Sequence, residues 1–531
     1  MDWLRAILET SPLTALFLTI AAGYLVGEIN LKGFALGSGA VLFVGLACGA
    51  FAPRSAPPGL VGTLGLLLFL YCVGVQYGNE WSRGLTSTQG LKANFAALCG
   101  LTAAGVVSLM IFQSGAASLP HALGMFAGSG TSTPALQAIL DTLHSQDAAV
   151  GYSVTYPFGV AGPILCMYAY LALLKPKVQV PAGQNIQPAE ARVRNAALFG
   201  KSFVELQKLL PDGVRVVAFR DEQQNRVPTP STLLKANDVL LLVGKDPGDI
   251  AKARGFIGEE GSGEFTADRT ALDYVRVFAS SRGVVGMRLG SLKIPGAVEH
   301  TYIHVRRGDT DLLPDDDLIL EFGDRVGVLC SRDNFPLVRR FFGDSIKGTA
   351  DFSYISVGLG AALGLLVGMV PIPVPGVGRI TLGLAGVLLV ALVLGTARRT
   401  AGIVWVLPLS AALVLRNFGL TVFLAQVGLS SGPQFAATVT ETGLTFILLG
   451  ALIVLPLVLV TMIVGRLLAI PVDDLFGVVS GVTGNPGILA YASRAVPTDR
   501  PDVGYAMIFP SMALVKILFV QIAGALLSSQ P

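Results

Sequence analysis

Apolar positions in this chain come in long unbroken runs instead of alternating or striped patterns. From about Leu13 to Leu174 and again from about Tyr354 to Leu527, apolar stretches are separated by short polar breaks. Each stretch is close to the roughly 20 residues that a helix needs to cross about 30 Å of hydrocarbon. The pattern predicts transmembrane helices near 13–29, 34–52, 59–78, 91–112 and 148–174, then near 352–371, 380–397, 406–430, 443–465 and 503–528. Two further apolar segments, 120–140 and 475–495, are interrupted by small polar residues and proline. Between about Ala191 and Gly343 the pattern changes to short β-type runs, Val214–Phe219, Asp238–Gly244, Tyr302–Val305 and Asp324–Cys330. Two copies of one unit are visible there. Gly200–Leu206 leads to a strand and then to Leu233–Val239, and Leu289–Leu292 leads to a strand and then to Leu312–Leu318. Each copy reads as a small α+β domain. The expected layout is a membrane repeat over 1–175, soluble domains over 176–262 and 263–350, and a second membrane repeat over 351–531.

Composition sharpens this picture. Of 531 residues, 52% are hydrophobic and only 14% charged, with a mean hydropathy of +0.65. Soluble proteins carry about 25% charged residues, so one large soluble enzyme is excluded. The net charge of +3 implies no polyanionic partner and no nucleic acid. Most of the Asp, Glu, Lys and Arg residues lie between Pro176 and Ala350, which marks the soluble insert. Cys48, Cys72, Cys99 and Cys166 sit in apolar runs and Cys330 in an expected strand. Without a CxxC or Cys/His cluster, these read as buried thiols, with no metal site and no disulfide framework. The first apolar run continues through Gly23–Gly27 and more spans follow, so it is expected to stay uncleaved.

The two flanks repeat one another. Gly23-Tyr-Leu-Val-Gly27 returns as Gly364-Leu-Leu-Val-Gly368, and Leu36-Gly37, Val41-Leu42, Val44 and Gly49 return as Leu382-Gly383, Val387-Leu388, Val390 and Gly395. Gly65-Leu66, Phe69-Leu70, Val73-Gly74 and Gly78 return as Gly419-Leu420, Phe423-Leu424, Val427-Gly428 and Gly432. Val150-Gly-Tyr152 with Pro157 returns as Val503-Gly-Tyr505 with Pro510. Duplication of this kind marks secondary transporters. The expected fold is a polytopic α-helical membrane protein. It has two inverted repeats of about five transmembrane helices plus a re-entrant hairpin each, and a central soluble α+β insert. Counting the broken segments as full spans gives the alternative of six spans per repeat and parallel halves. In the inverted five-span topology, Lys32, Arg83, Lys92, Lys175, Lys177, Arg398, Arg399 and Arg466 fall on one side, against Arg5, Arg54 and Arg379 on the other. That bias places the N-terminus outside and the insert in the cytoplasm.

The broken segments carry the candidate chemistry. The first contains Ser129-Gly130-Thr131-Ser132-Thr133-Pro134 and the second Thr483-Gly484-Asn485-Pro486-Gly487. Proline removes a backbone donor while glycine permits turned backbone, so the helix breaks. At membrane depth such a break must line a cavity or be buried in protein. Ser, Thr or Asn followed by Pro is also a helix start. The half-helices at Pro134 and Pro486 are therefore expected to aim free N–H groups at a bound carboxylate. The competing reading is close packing of small residues between helices. Lys516, inside the last span, either neutralises a substrate carboxylate or serves structure by pairing or snorkelling. Arg416 and Asn417 read as interfacial anchors, while Gln76, Asn79 and Gln426 either line a pathway or bond between helices. The Val-Gly-Tyr pair lacks the rest of a potassium filter and is not read as one. In the insert, Asp315-Asp-Asp317 reads as a solvated turn, and Arg306-Arg307 as candidate contacts to a regulatory phosphate, against exposed strand-edge charge.

The paired soluble units resemble the C-terminal ligand-binding subdomain of TrkA/RCK proteins, without the nucleotide-binding N-terminal half. The whole layout, with Thr131-Ser-Thr-Pro-Ala-Leu136 and Thr483-Gly-Asn-Pro-Gly487 at equivalent places, resembles the aspartate:alanine exchanger family over essentially the full chain. That resemblance implies a bacterial inner-membrane antiporter for small carboxylates or amino acids, without a cofactor and not an enzyme. It also implies a cytosolic insert that senses a nucleotide-like ligand; a homodimer is the expected assembly. The rival class, a cation/proton antiporter or channel-like protein gated by the TrkA-C domains, would want an embedded acidic pair. Asp141 and Asp147 only flank a hairpin, and Glu28 ends a span. A receptor without flux leaves the duplicated broken helices unexplained.

Overall fold

The computed structural model describes residues 2–528 apart from 30–36, 177–185, 222–223, 230, 269, 297, 308–309, 346–352, 375–377, 497 and 499. Lys32 and Lys177 of the charge count and Leu36 of the repeat lie outside the described residues. The chain forms two units, one of residues 1–180, 354–398 and 412–531, the other of 181–353 and 399–411.

The regular elements of the first flank, among the described residues, are helices: α1 (Asp2–Thr10), α2 (Pro12–Gly27), α3 (Ala40–Phe51), α4 (Gly59–Thr86), α5 (Thr88–Gln113), α6 (Leu119–Ser129), α7 (Thr133–Leu143) and α8 (Asp147–Leu174). Local sequence sets the boundaries. Ser11 accepts from the Thr14 amide ahead of Pro12, and Ser87 ends α4 while accepting from the Gly90 amide to start α5. Both satisfy amides that a helix start leaves without a partner. In α8, Pro157 and Pro163 sit within the helix, which membrane helices tolerate.

The insert holds two sheets. β1 (Gln187–Val193), α9 (Phe203–Leu209), β2 (Val214–Asp221), β3 (Gln224–Arg226), β4 (Val239–Gly244), α10 (Pro247–Ile257) and β5 (Gly258–Glu260) form the first domain, in strand order β3-β2-β4-β1-β5. After α11 (Glu264–Ala267), the second domain follows with β6 (Asp273–Phe278), β7 (His300–Arg307), β8 (Thr310–Leu312), β9 (Arg325–Cys330) and α12 (Phe335–Phe342), in order β8-β7-β9-β6. The four shared strands have the same antiparallel order, and each sheet has its register shift on the matching strand, at Val216/Ala218 in β2 and Tyr302/His304 in β7. The insert is thus a duplicated unit, as the sequence implies, although its first strands β1 and β6 are not among the runs read from the sequence. Cys330 is buried in the second core, and burial, with Asp273 adding, pushes its thiol up to about 11.

The second flank comprises α13 (Tyr354–Gly368), β10 (Pro371–Val374) paired with β11 (Gly378–Thr381), α14 (Ala385–Ala397), β12 (Arg399–Thr400) paired with β13 (Ile403–Val404), α15 (Leu409–Leu467), α16 (Val472–Thr483), α17 (Pro486–Ala495) and α18 (Arg500–Ser528). Among the described residues, six apolar stretches are long enough to span: α4, α5, α8, Leu409–Ala437 and Thr445–Leu467 of α15, and α18. At the other four expected positions stand shorter apolar helices, α2, α3, α13 and α14, at matching places in the two flanks. Both broken segments form a pair of short helices, α6–α7 and α16–α17.

Packing repeats the duplication. Gly78 on α4 faces Leu392 and Thr396 on α14, while Gly432 on α15 faces Leu46 and Ala50 on α3, the equivalent positions with the flanks exchanged. Gly65 and Gly419, themselves equivalent, face each other's backbone. A twofold relation between the flanks produces this exchange of partners, and only glycine lets backbones approach so closely.

Candidate functional site

The two broken helices meet tip to tip inside the membrane unit. α6 ends at Ser129, and Thr131 then turns with φ +41° before Ser132 starts α7; α16 ends at Thr483, and Gly484 turns with φ +80° before Asn485 starts α17. The Thr131 hydroxyl donates to the Thr483 carbonyl at 2.9 Å. Lys516 on α18 reaches both tips, its Nζ donating to the Gly130 carbonyl at 2.9 Å and the Val482 carbonyl at 2.5 Å. These carbonyls close the C-terminal ends of α6 and α16, where helix dipoles favour a cation. Lys516 is only 2% exposed, a position too expensive for an ammonium without such partners. Any side chain at Gly130 would collide with it.

A cavity of about 310 Å³ opens beside the tips, in the size range of small-molecule sites. Gly130, Thr131, Ser132, Thr133, Pro134, Gly484, Asn485, Pro486 and Lys516 line it. Ser129, Thr483 and Gly487 were expected there too, but are not among its lining residues. The Ser129 hydroxyl turns back to the Phe126 carbonyl and the Thr483 hydroxyl to Val479, while the Gly487 amide is capped by Asn485. A second correction concerns the helix starts. Asn485 Oδ1 accepts from the Gly487 amide at 2.8 Å and its side chain also donates to Tyr156 at 3.3 Å, so α17 closes its own end. Ser132 makes no such cap. Among the described residues the Thr133 and Ala135 amides of α7 have no acceptor. The start of α7 is therefore the open, partially positive end.

Arg416 corrects the sequence reading most. Instead of anchoring an interface, it lines the cavity, donating to Gln76 at 3.1 Å and to the Tyr77 hydroxyl at 3.2 Å. Gln426 bonds along its own helix to Ser430. Tyr24, Ser38, Tyr156, Tyr505 and Phe509 complete the polar and aromatic wall and were not foreseen. For Tyr505 a signal existed: it closes the best repeat match, and its hydroxyl donates to the Gly484 carbonyl at 3.2 Å. No acidic side chain is among the described residues lining the cavity.

In the insert, Arg307 is held by its own domain, forked onto Asp324 at 2.8–2.9 Å and donating to Glu321 and to the Ile319 carbonyl. It is a brace within the sheet instead of a free contact for a ligand. Arg306 lies 4.0 Å from Asp311 with its side chain 38% exposed. Asp315 pairs with Arg215 of the first domain at 2.7 Å, so the acidic turn is partly a clasp between the two domains.

Residues 15–172 and 356–525 match a sequence family described as a predicted permease membrane region, and residues 189–258 and 274–343 each match the TrkA-C domain. An uncharacterized transporter of Geobacter sulfurreducens is 36% identical over 97% of this chain and 98% of its own length. One from Symbiobacterium thermophilum is 36% identical over 98% and 99% of the two chains, and one from Corynebacterium diphtheriae 34% identical over 97% and 98%.

Proposed function

We propose that this chain, which belongs to the aspartate:alanine exchanger family of membrane transporters, exchanges small amino-acid carboxylates of the aspartate and alanine type. The observation that carries this reading is the sign of the cavity. Two cationic side chains and the open N-terminal end of α7 face it, and no described lining residue is acidic. Such a wall favours an anion and disfavours the metal cation or proton relay of the rival class. Arg416 takes one carboxylate and the Thr133 and Ala135 amides the other, or the main one when the substrate is alanine. Lys516 holds the tips together and supplies a long-range positive field.

In this reading the hairpins are re-entrant, the repeats are inverted, and the N-terminus lies outside the bacterial inner membrane. The insert is then cytoplasmic, where TrkA-C domains bind a regulatory ligand. Alternating access follows from one repeat rocking against the other around the tips. The test is uptake of labelled aspartate into liposomes with and without internal unlabelled aspartate. Uptake that requires internal substrate, and that falls at least about a hundredfold in Arg416→Gln, is the expected result. Unchanged uptake in Arg416→Gln removes this site from the transport path.

A further inference from the structure

The segment Arg399–Ala411 joins α14 to α15, yet it folds with the insert and not with the membrane helices. β12 and β13 pair across the turn residues Ala401 and Gly402, with φ of +48° and +83°, the backbone of a tight two-residue hairpin. Trp405 is buried and its indole N–H donates to the Thr400 hydroxyl at 2.6 Å, closing the hairpin on itself. Val404 belongs to the same apolar core as Val284, Val285, Leu320 and Phe342 of the second soluble domain. Arg399 donates to the Arg282 carbonyl at 3.1 Å and packs over Gly286. A piece of the membrane flank's connection is thus a plug in the core of a soluble domain.

Comparison of the flanks identifies the plug as an addition. Equivalent residues stand 346 apart at Gly49 and Gly395 but 354 apart at Gly65 and Gly419, so the second flank has eight residues without counterpart between them. α3 and α14 end in register, at Phe51 and Ala397. α15 starts at Leu409, one turn ahead of Leu413, the counterpart of the first residue of α4, Gly59. The addition therefore lengthens the linker and extends α15 backwards by a turn, and the insert unit ends at Ala411, next to the last added residue. The shorter linker between α3 and α4 contains no strand.

We infer that the hairpin Arg399–Val404 is a mechanical link through which the state of the second soluble domain reaches one wall of the cavity. After the four non-helical residues Trp405–Pro408, α15 begins inside the insert unit at Leu409–Ala411 and runs on to carry Arg416, Asn417, Leu420 and Leu424 into that wall. Arg416 stands about two turns from the helix start, a distance over which the backbone ladder moves as one body. α4, the equivalent wall helix of the first repeat, has no such handle. Through this link a change in the soluble domain acts on the wall helix of one repeat and not on its counterpart, an asymmetry that a rocking transporter can use for control. The link governs transport only if the cavity is the transport site proposed above, whereas its test needs no substrate.

Hydrogen–deuterium exchange of the full-length protein, free of substrate, is compared with that of Val404→Ser, which puts a hydroxyl into the apolar seat. The expected result is exchange faster by about tenfold in the hairpin and onward through Arg416–Leu424, with α4 unchanged. A loosened hairpin with α15 at wild-type protection overturns the link. Should the hairpin stay seated in that variant, Gly286→Cys with Arg399→Cys decides, in a background with the native cysteines replaced. The Cβ positions lie 3.5 Å apart, within disulfide reach. Oxidation is expected to slow the same α15 amides by about tenfold relative to the reduced form. Equal protection in the two forms overturns the inference.

Discussion

The two hairpins descend from one motif and have diverged in opposite directions. At the turn, the first places Thr131, a β-branched residue at φ +41°, where the second places Gly484 at φ +80°. At the start of the second half-helix, the first has Ser132-Thr133-Pro134 with two amides left open, and the second has Asn485-Pro486-Gly487 with the cap made. At the outer end, His121 of α6 faces Asp147 of α8 at 4.0 Å, with Gln434 donating to the same carboxylate, whereas at the same positions Asp474 of α16 takes Arg500 of α18 in a fork, joined by Gln89. The acid and base have changed sides. The second hairpin has a glycine at its turn, a capped helix start and a strong outer clasp. The first has a strained turn, open donors and a loose clasp. Strain and unsatisfied donors persist where function uses them, so the second hairpin is the brace and the first is the hand.

Lys516 bonds to both hairpins, and its loss gives the largest effect. Lys516→Met keeps the volume but leaves the Gly130 and Val482 carbonyls without a donor, and each charge-assisted bond contributes about 1.5–3 kcal/mol. Aspartate exchange is expected to fall below detection, with a lower melting temperature in detergent. A variant that melts like the wild type and still exchanges removes Lys516 as the tie.

Transplanting the chemistry of one hairpin into the other comes next. Thr133→Pro gives α7 the Pro486 arrangement, removing an open N–H without adding bulk that the helix start cannot take. Aspartate affinity, read by competition in the exchange assay, should weaken by about tenfold or more. Asn485→Ala opens the closed end instead. It should cost about 1 kcal/mol of stability while changing affinity far less than Thr133→Pro. Equal effects on affinity would erase the distinction between hand and brace.

What the sequence discloses of this arrangement follows from which forces are local. Lipid contact demands contiguous apolar runs, so the helices and both breaks are readable, and Thr131–Pro134 and Asn485-Pro486 announce helix starts by residue type alone. Whether a start is open depends on where one side chain turns. Asn485 turns back to Gly487 and Ser132 does not, and no spacing rule distinguishes them. Arg416 is ambiguous for a related reason. A cation two turns into a helix serves an interface or a cavity according to whether Gln76 and Tyr77, some 340 residues away, come to meet it. Tyr24, Tyr156 and Phe509 are apolar-run aromatics whose facing, lipid or cavity, is set by packing. The seat of Val404 in the insert is likewise a long-range contact, though the eight added residues mark its place.

The outer clasps offer a smaller contrast. Asp474 is 5% exposed and its carboxylate takes Gln89 and a half-exposed Arg500, so Asp474→Asn should cost about 1–2 kcal/mol in thermal or chemical unfolding. Asp147→Asn, at the equivalent place of the first hairpin, weakens the 4.0 Å contact to His121 and leaves Gln434, which donates to the same carboxylate at 2.9 Å, a neutral amide oxygen to bond, so it should cost less than about 1 kcal/mol. The reverse order would make the first hairpin the braced one.

The smallest effect is also the most specific to the comparison. Thr131→Gly gives the first turn the residue that the second already has. It removes the left-handed strain of a β-branched side chain, of order 1–2 kcal/mol, but adds about 0.5–1 kcal/mol of unfolded-state entropy and loses the bond to the Thr483 carbonyl, worth about 1 kcal/mol. These terms nearly cancel, and the melting temperature should stay within a few degrees. Kinetics should not cancel in the same way, because strain and cross-tip bond act at different points of the cycle. Strain is present while the turn keeps its shape, whereas the bond must break if the tips separate when the repeats rock. Exchange by Thr131→Gly should therefore be a few-fold faster than wild type at saturating aspartate, with affinity unchanged. A slower or unchanged rate at wild-type stability would mean that the tips move as one body and that the rocking surface lies elsewhere in the helix bundle.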